Sequence, residues 1–199
     1  YSDATKGWLP LEDDVTADAP SPPPTQKAIF GYGNSGSNSS ITNLVNSSGV
    51  VAANTTGVGT ARNSLAAATY GFDKAIFGYG DDGSVSSLTN LVNNSGVVAA
   101  DVTGVGTARN TPAACGYGSD KAIFGYGYSG GYVSLTNLVS NSGVVSADVT
   151  GVGTARSRIA AATYGGDKGI FGYGQGSNLS MTNLVSNTGV VGSDVTGVG

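Results

Sequence analysis

The sequence predicts an all-β protein built from tandem repeats, and three observations support this prediction. Lysines recur at Lys27, Lys74, Lys121 and Lys168, 47 residues apart each time, so one supersecondary unit is repeated. The chain has 33 glycines and only 11% charged residues, a composition that suits short strands joined by tight turns. Short apolar runs alternate with turn signals in every repeat, and no helical periodicity is present.

The N-terminal region precedes the repeats and divides into two parts. Residues 1–18 are predicted to end a preceding β element, because turn formers separate Tyr1 from Trp8 as in a hairpin. Residues 19–26 are proline-rich, which predicts an extended linker without ladder hydrogen bonds, or alternatively a ligand of a proline-recognising domain. The repeat domain then spans 27–199, with units at 27–73, 74–120, 121–167 and an incomplete 168–199.

Each repeat is predicted to hold four antiparallel strands. One face of the first strand of the second repeat carries Ala75, Phe77 and Tyr79, and neither face is polar, so we expect other sheets to cover it on both sides. The alanine run at 66–68 would let neighbouring sheets approach closely, and the glycine that follows argues against a helix there. The four strands of the second repeat are predicted at 74–79, 87–92, 96–102 and 109–117.

Composition and charge exclude several functional classes. Residues 27–199 balance eight acids against eight bases, which gives a nucleic acid little to bind. No apolar run reaches the length of a membrane-spanning helix. The single Cys115 cannot form an internal disulfide, and the absence of histidine removes Ser-His-Asp and Cys-His catalytic arrangements. We therefore expect no catalytic residues, no metal site and no cofactor.

Polar residues that recur once per repeat are predicted to be structural. We expect the charged ones to pair or to cap turns, and the asparagines to bond local backbone. The charged residues are Asp73, Asp120 and Asp167, next to lysines, and Arg62, Arg109 and Arg156. The asparagines are Asn43, Asn90, Asn137 and Asn183. A further recurring position would hold a cation only if its side chains converged; it carries Asn54 in the first repeat and then Asp101, Asp148 and Asp194.

The turn after each Gly-Tyr-Gly varies between repeats and is the predicted binding surface. A constant frame with changing polar and tyrosine tips is typical of binding surfaces, although neutral drift in an exposed turn is the alternative. The adjacent carboxylates of Asp81 and Asp82 leave glycoside hydrolysis as the weakest hypothesis. The predicted binding residues are Asn34, Asn38, Asp81, Asp82, Tyr128, Tyr132, Gln175 and Asn178.

The order of elements in the repeat resembles a kelch-type β-propeller blade. The resemblance covers residues 27–199 and implies a kelch-like propeller, or a propeller segment, of four-stranded 47-residue blades. Its parts are Arg62, a small-residue strand at 65–70, a hydrophobic strand from Lys74 to Phe77, the Gly78-Tyr79-Gly80 turn and an asparagine-containing strand at 89–92.

The recurring TNLV, GVV and GVGTAR segments also resemble kelch-like repeats of phage and environmental viral structural proteins. That resemblance implies a virion surface or tail-associated protein, found on virions or extracellularly, that attaches to a host-surface ligand such as a glycan. The alternative is a self-associating filament or cell-surface coat subunit, whose partners are copies of itself or other structural proteins.

The number of repeats does not decide whether they close into a ring. Propellers need about four to eight blades, whereas three units are full and the fourth stops after 32 residues. We expect that the chain is a piece of something longer, that several chains assemble, or that the units stack as an open array.

Overall fold

A computed structural model describes residues 2–3, 7–8, 28–176 and 179–197. Every regular element in these residues is a β-strand, which confirms the predicted all-β class. None of the described segments is a helix with the length and apolar character that a membrane crossing needs. The linker predicted at 19–26 lies outside the described residues. The strands are β1 Ser2–Asp3, β2 Gly7–Trp8, β3 Ala28–Asn34, β4 Asn38–Val45, β5 Ala66–Tyr70, β6 Lys74–Gly78, β7 Thr89–Val92, β8 Ala113–Tyr117, β9 Lys121–Tyr128, β10 Tyr132–Val139, β11 Ala160–Tyr164, β12 Lys168–Gly172 and β13 Thr182–Val185.

Four small antiparallel sheets carry the repeats, and β1 pairs with β2 in a separate ribbon. We number them sheet 1 (β3 and β4), sheet 2 (β5, β6 and β7), sheet 3 (β8, β9 and β10) and sheet 4 (β11, β12 and β13). The recurring lysine begins the central strand of sheets 2 to 4, as the pairing of Tyr70 with Lys74 shows. Each of these sheets therefore starts with the strand that precedes the lysine.

The strand predicted at 96–102, the third of its repeat, is not continuous. It contributes two isolated bridges, from Val98 to Val92 and from Val102 to Thr89. Between them the side-chain amide of Asn90 donates to the carbonyl of Ala99 at 3.1 Å and to the carboxylate of Asp101 at 2.9 Å. Side-chain hydrogen bonds thus replace part of the backbone ladder, and the sheet has three strands and an irregular edge.

Both faces of β6 are covered, as predicted. Phe77, 4% exposed, packs with Ile29 of sheet 1, whereas Ile76, 0% exposed, shares a cluster with Phe124 of sheet 3. A similar cluster joins sheets 3 and 4. The apolar core therefore lies between successive sheets. Burial of each such side chain contributes about 1.5–3 kcal/mol to the stability of the fold.

Glycines allow these sheets to approach. A Cβ atom at Gly78 would lie 2.7 Å from Cζ of Phe124, and one at Gly125 would lie 2.7 Å from Cζ of Phe171. The phenylalanine of each sheet therefore occupies the space that a side chain on the preceding sheet would need. The first glycine of Gly-Tyr-Gly is required for close packing between sheets.

Tyr79 lies on the opposite face from the one that strict alternation predicts. It packs in the cluster of Ile76, with its ring 5.1 Å from that of Phe124, and not beside Ala75 and Phe77. The cause is local, because Tyr79 has a φ of 64°. A left-handed backbone interrupts the pleat at this residue, so the side chain of Tyr79 does not follow the alternation of the strand before it.

The alanine runs form strands, and they bring the sheets together as predicted. Successive sheets approach each other most closely at their first strands, β5 with β8 and β8 with β11. The amide of Thr111 donates to the carbonyl of Ser64 at 2.7 Å, and the amide of Arg158 donates to that of Thr111 at 3.2 Å. These hydrogen bonds lie just before the first strands begin, and the small side chains of the strands permit the close approach that follows.

The described sheets form an open row. The three core clusters join sheets 1 and 2, 2 and 3, and 3 and 4, and no cluster of described residues joins sheet 4 to sheet 1. Phe30 of sheet 1 is 63% exposed, whereas its equivalents Phe77, Phe124 and Phe171 are at most 4% exposed. Sheet 1 therefore leaves exposed the phenylalanine that the other three sheets bury.

Candidate binding edge at the variable turns

The variable turns follow the central strands and begin with an abrupt change of direction. Tyr79 and Gly80 both have positive φ, 64° and 109°, which takes the chain out of the sheet. The amide of Gly80 donates to the carbonyl of Arg109 at 3.0 Å. The start of the turn in sheet 2 is therefore fixed to sheet 3. In the same way Gly33 donates to the carbonyl of Arg62 and Gly127 to that of Arg156, each in the next sheet.

Several predicted binding residues shape the turns themselves. In the first turn, Asn34 accepts from the amide of Gly36 at 2.9 Å and donates to Asn38 at 3.3 Å. In the second turn, Asp81 accepts from the amide of Gly83 at 3.0 Å. Asp82 accepts from Ser84 at 3.4 Å. These side chains stabilise tight turns in the manner usual for Asn and Asp.

Hydrogen bonds also join the turns of neighbouring sheets. The side-chain amide of Asn38 donates to the carbonyl of Asp81 at 3.1 Å, which links the first turn to the second. Asn63 donates to Asn38 at 2.6 Å, and Asn110 donates to the carboxylate of Asp81 at 3.0 Å. The backbone of Asn110 in turn pairs with Tyr128, at the start of the third turn. The turns of sheets 1, 2 and 3 thus form one connected edge, which we call the variable edge.

Sequence reasoning missed Asn63 and Asn110. Each follows directly after an arginine of the recurring TAR segment, and Ser157 takes this place in the next repeat. That spacing could have indicated residues that face the turns. From the sequence alone this spacing does not indicate a contact with the turns, because the burial of the arginine next to the turn is visible only in the structure.

The third turn carries an aromatic pair. Tyr128 and Tyr132 face each other across the hairpin, with ring centroids 5.7 Å apart and an interplanar angle of 75°. They are 40% and 42% exposed. An edge-to-face pair at a hairpin tip offers a rigid, partly apolar surface beside hydroxyl groups.

The fourth turn is described only in part. Gln175 exchanges backbone hydrogen bonds with Ser157 at 2.8 and 3.0 Å, so its backbone is fixed at the edge of sheet 4. Asn178, the other residue predicted for this turn, lies outside the described residues.

The acidic side chains of the described residues do not converge on a possible cation site. No group of three or more Asp, Glu, Cys or His side chains comes together within the described residues. Asp81 is bound by Asn110 and by its own turn, and Asp101 is bound by Thr60 through both amide and hydroxyl, at 2.9 and 2.7 Å. Asp148 and Asp194 accept in the same way from the hydroxyls of Thr107 and Thr154.

Buried arginines hold the frame behind the variable edge. Arg62 is 0% exposed and donates to the carbonyl of Tyr79 at 2.8 Å, to that of Thr60 at 3.1 Å and to Asn90 at 2.6 Å. Its guanidinium carbon lies 4.6 Å from the centroid of the Tyr32 ring in sheet 1. The predicted structural role of the arginines is confirmed, and each holds the residue with which a variable turn begins.

Electrostatics favour an ionised Asp101 and a protonated Tyr126 in this frame at neutral pH. Burial would raise the pKa of Asp101, but hydrogen bonds from Thr60 and Asn90 and the charge of Arg62, 3.7 Å away, lower it overall. Burial raises the pKa of Tyr126 to about 12 against the charge of Arg156, so its hydroxyl stays protonated and donates to the carbonyl of Val152. No buried side-chain nitrogen or oxygen among the described residues lacks a hydrogen-bond partner.

Ion pairs occupy the opposite edge, where the first and central strands meet. Lys74 contacts Asp73 at 2.9 Å, and Lys121 contacts Asp120 at 2.8 Å, as the prediction of paired charges required. Asn141 donates to the second oxygen of Asp120 at 3.0 Å. We call this edge the ion-pair edge.

No protein-family profile and no curated protein matches this sequence.

Proposed function

We propose that the protein is a non-enzymatic adhesion scaffold that presents its variable edge to a host-surface ligand such as a glycan. One observation carries this proposal, the hydrogen-bonded connection of turns through Asn38, Asp81 and Asn110. Turns that differ in sequence are held side by side on a frame that is nearly identical in each repeat. A fixed frame lowers the entropy cost of ordering the turns when a ligand binds.

The sheets are, on this proposal, blades of a kelch-like propeller. Two features support that arrangement: the repeated antiparallel sheets, of which sheets 2 to 4 each hold a buried arginine, and the closest approach at the first strands β5, β8 and β11. Propeller blades radiate from an axis that their first strands surround.

The virion or extracellular setting of this proposal is supported by the resemblance of the repeat segments to phage and environmental viral structural proteins. Antibody labelling of unfractionated source material under the electron microscope tests it. Label on phage-like particles is the expected result. Label along free filaments or on cell envelopes would contradict a virion role.

Binding by the variable edge is tested with a double substitution, Tyr128→Ala with Tyr132→Ala. It removes the largest exposed side chains of the third turn, so we expect affinity for immobilised cell-surface polysaccharides to fall about tenfold or more. The matched control is Tyr164→Ala, because Tyr164 is also 40% exposed but lies at the end of β11 near the ion-pair edge. Equal binding by the double variant and the native protein would refute the role of these tyrosines.

Self-association is a second candidate function, favoured by the exposure of Phe30. In sheets 2 to 4 a phenylalanine packs on a glycine of the preceding sheet; these residues are Phe77, Phe124 and Phe171. Phe30 is the equivalent residue of sheet 1, and its ring is exposed. At the other end of the row, Gly172 is the glycine on which another phenylalanine would pack. A second copy of this chain would therefore dock head to tail, with Phe30 of one copy on Gly172 of the other.

Sedimentation velocity tests this docking. The native chain should show oligomers that grow with concentration, and Phe30→Ser or Gly172→Ala should each return it to the monomer. Gly172→Ala is the sharper variant, because among the described residues of one chain an added Cβ would meet only Thr182, at 3.4 Å. A native chain that stays monomeric, or oligomers that survive both substitutions, would exclude this interface.

A further inference from the structure

Phe72 has an unusual conformation and exposure for a phenylalanine. It sits in the turn between β5 and β6 with a φ of 69° and is 81% exposed. The equivalent residues of the next two repeats share the left-handed conformation but are small, Ser119 with a φ of 68° and Gly166 with a φ of 82°. Neither packing nor backbone preference accounts for a bulky aromatic ring here, and such residues often mark binding sites.

A cleft of about 130 Å³ lies beside this ring, on the ion-pair edge. It extends across three sheets, from Thr69 of sheet 2 over Gly116 of sheet 3 to Thr163 of sheet 4. Thr69 and Thr163 occupy the same repeat position, and Gly116 replaces threonine between them. The cleft is therefore open at the position where one repeat lacks a side chain.

The polar groups of the cleft can bind hydroxyl groups but offer little net charge. Thr163 accepts from the amide of Gly116 at 2.9 Å, and the hydroxyls of Thr69 and Ser119 make no hydrogen bond with another described residue. Lys121 lines the cleft, but Asp120 neutralises it at 2.8 Å. An acidic ligand would have to compete with that carboxylate.

We propose that this cleft binds one ring of a neutral sugar, with Phe72 stacked against the carbon face of the ring. The C–H groups of a pyranose are weakly positive and suit the negative face of an aromatic ring. The hydroxyls of Thr69 and Ser119 line the cleft and can exchange hydrogen bonds with the sugar hydroxyls, whereas that of Thr163 is engaged with Gly116. This site is separate from the variable edge, so it does not depend on the function proposed for that edge.

Saturation-transfer NMR of the full chain tests the proposal with four methyl glycosides: glucoside, galactoside, N-acetylglucosaminide and glucuronide. A neutral glycoside should receive saturation on its ring C–H protons. Phe72→Ser and Gly116→Thr should each weaken this binding by about fivefold. Each substitution introduces the residue that another repeat carries at the same position, serine as at Ser119 and threonine as at Thr69. Phe72→Ser should leave the thermal midpoint of unfolding unchanged.

Tyr128→Ser is the control, because it alters the variable edge and leaves the cleft intact. Loss of glycoside binding only in this control would place the sugar at the variable edge and overturn the cleft proposal. Absence of saturation transfer to every neutral glycoside, or signals unaffected by both cleft variants, would also overturn it. So would binding of N-acetylphenylalaninamide alone, which would indicate a peptide ligand.

Discussion

The guanidinium carbon of Arg109 lies 3.9 Å from the centroid of the Tyr79 ring, so a charged side chain of sheet 3 covers an aromatic ring of sheet 2. The same guanidinium donates to the carbonyls of Tyr126 and Thr107 and to Asn137, within its own sheet. Arg109 is therefore both the internal brace of one sheet and the contact with the preceding one. Arg62 and Arg156 repeat this arrangement.

Replacement of Arg109 by lysine should destabilise the protein by about 3 kcal/mol. A lysine cannot reach three separate acceptors in the plane of the guanidinium, so buried carbonyls would lose their donors. Urea unfolding followed by tyrosine fluorescence measures the effect. The control is Arg158→Lys, an exposed arginine, which should change stability by less than about 0.5 kcal/mol. Similar losses in both variants would refute the bracing role.

Gly78→Ala should destabilise the protein by about 1–3 kcal/mol, because the new Cβ would lie 2.7 Å from the Phe124 ring. Gly172→Ala is the matched control, since its nearest neighbour is 3.4 Å away. Thermal unfolding of both variants at low protein concentration makes the comparison. If the two substitutions cost the same, the packing of phenylalanine on glycine does not determine the spacing of the sheets.

The sequence was sufficient to predict the β-strands, because short apolar runs and turn residues are local signals. Even so, it could not predict that Tyr79 changes face, because tyrosine has no general preference for the left-handed backbone that this residue adopts. The packing of its ring on Phe124, 45 residues later in the chain, is not a local signal either. Nor could the sequence predict the broken edge strand near Asp101. That break depends on the side-chain amide of Asn90, which donates to the carbonyl of Ala99 in place of a backbone amide.

The candidate site was predictable as a set of variable turns but not as a connected edge. Asp81 and Asn38 lie in different repeats, and only the stacking of sheets brings them together. Phe72 gave no signal, because one aromatic residue in a glycine-containing turn is unremarkable until its φ and exposure are known.

Acid should destabilise the protein through Asp101, Asp148 and Asp194, whose pKa values are lowered in the fold. A carboxyl with a lowered folded-state pKa stabilises the protein above its unfolded pKa, and that stability is lost as pH falls through the folded value. We expect the thermal midpoint to fall between about pH 5 and pH 2. Asp101→Asn, which copies Asn54 of the first repeat, should be less stable at neutral pH and show a shallower fall. An identical fall in the native and variant proteins would contradict this.

Cys115 should be unreactive in the folded protein. Burial raises the pKa of its thiol to about 11, so little thiolate is present at pH 8. Reaction with a disulfide reagent should therefore proceed about a hundredfold more slowly in buffer than in urea. Equal rates in buffer and urea would show that the interface between sheets 3 and 4 opens readily.

Cys115 and Gly169 form a compensating pair across that interface. Their equivalents between sheets 2 and 3 are Ala68 and Ala122, so the larger residue on one side accompanies the smaller one on the other. A Cβ at Gly169 would lie 2.6 Å from the Cys115 sulfur. Gly169→Ala alone should cost about 1–3 kcal/mol through overpacking, and Cys115→Ala alone about 1 kcal/mol through a small cavity. The double variant restores the alanine pair and should be close to native stability. A double-mutant cycle by urea unfolding should give a coupling of at least about 1 kcal/mol, whereas additive losses would show that the two substitutions are independent.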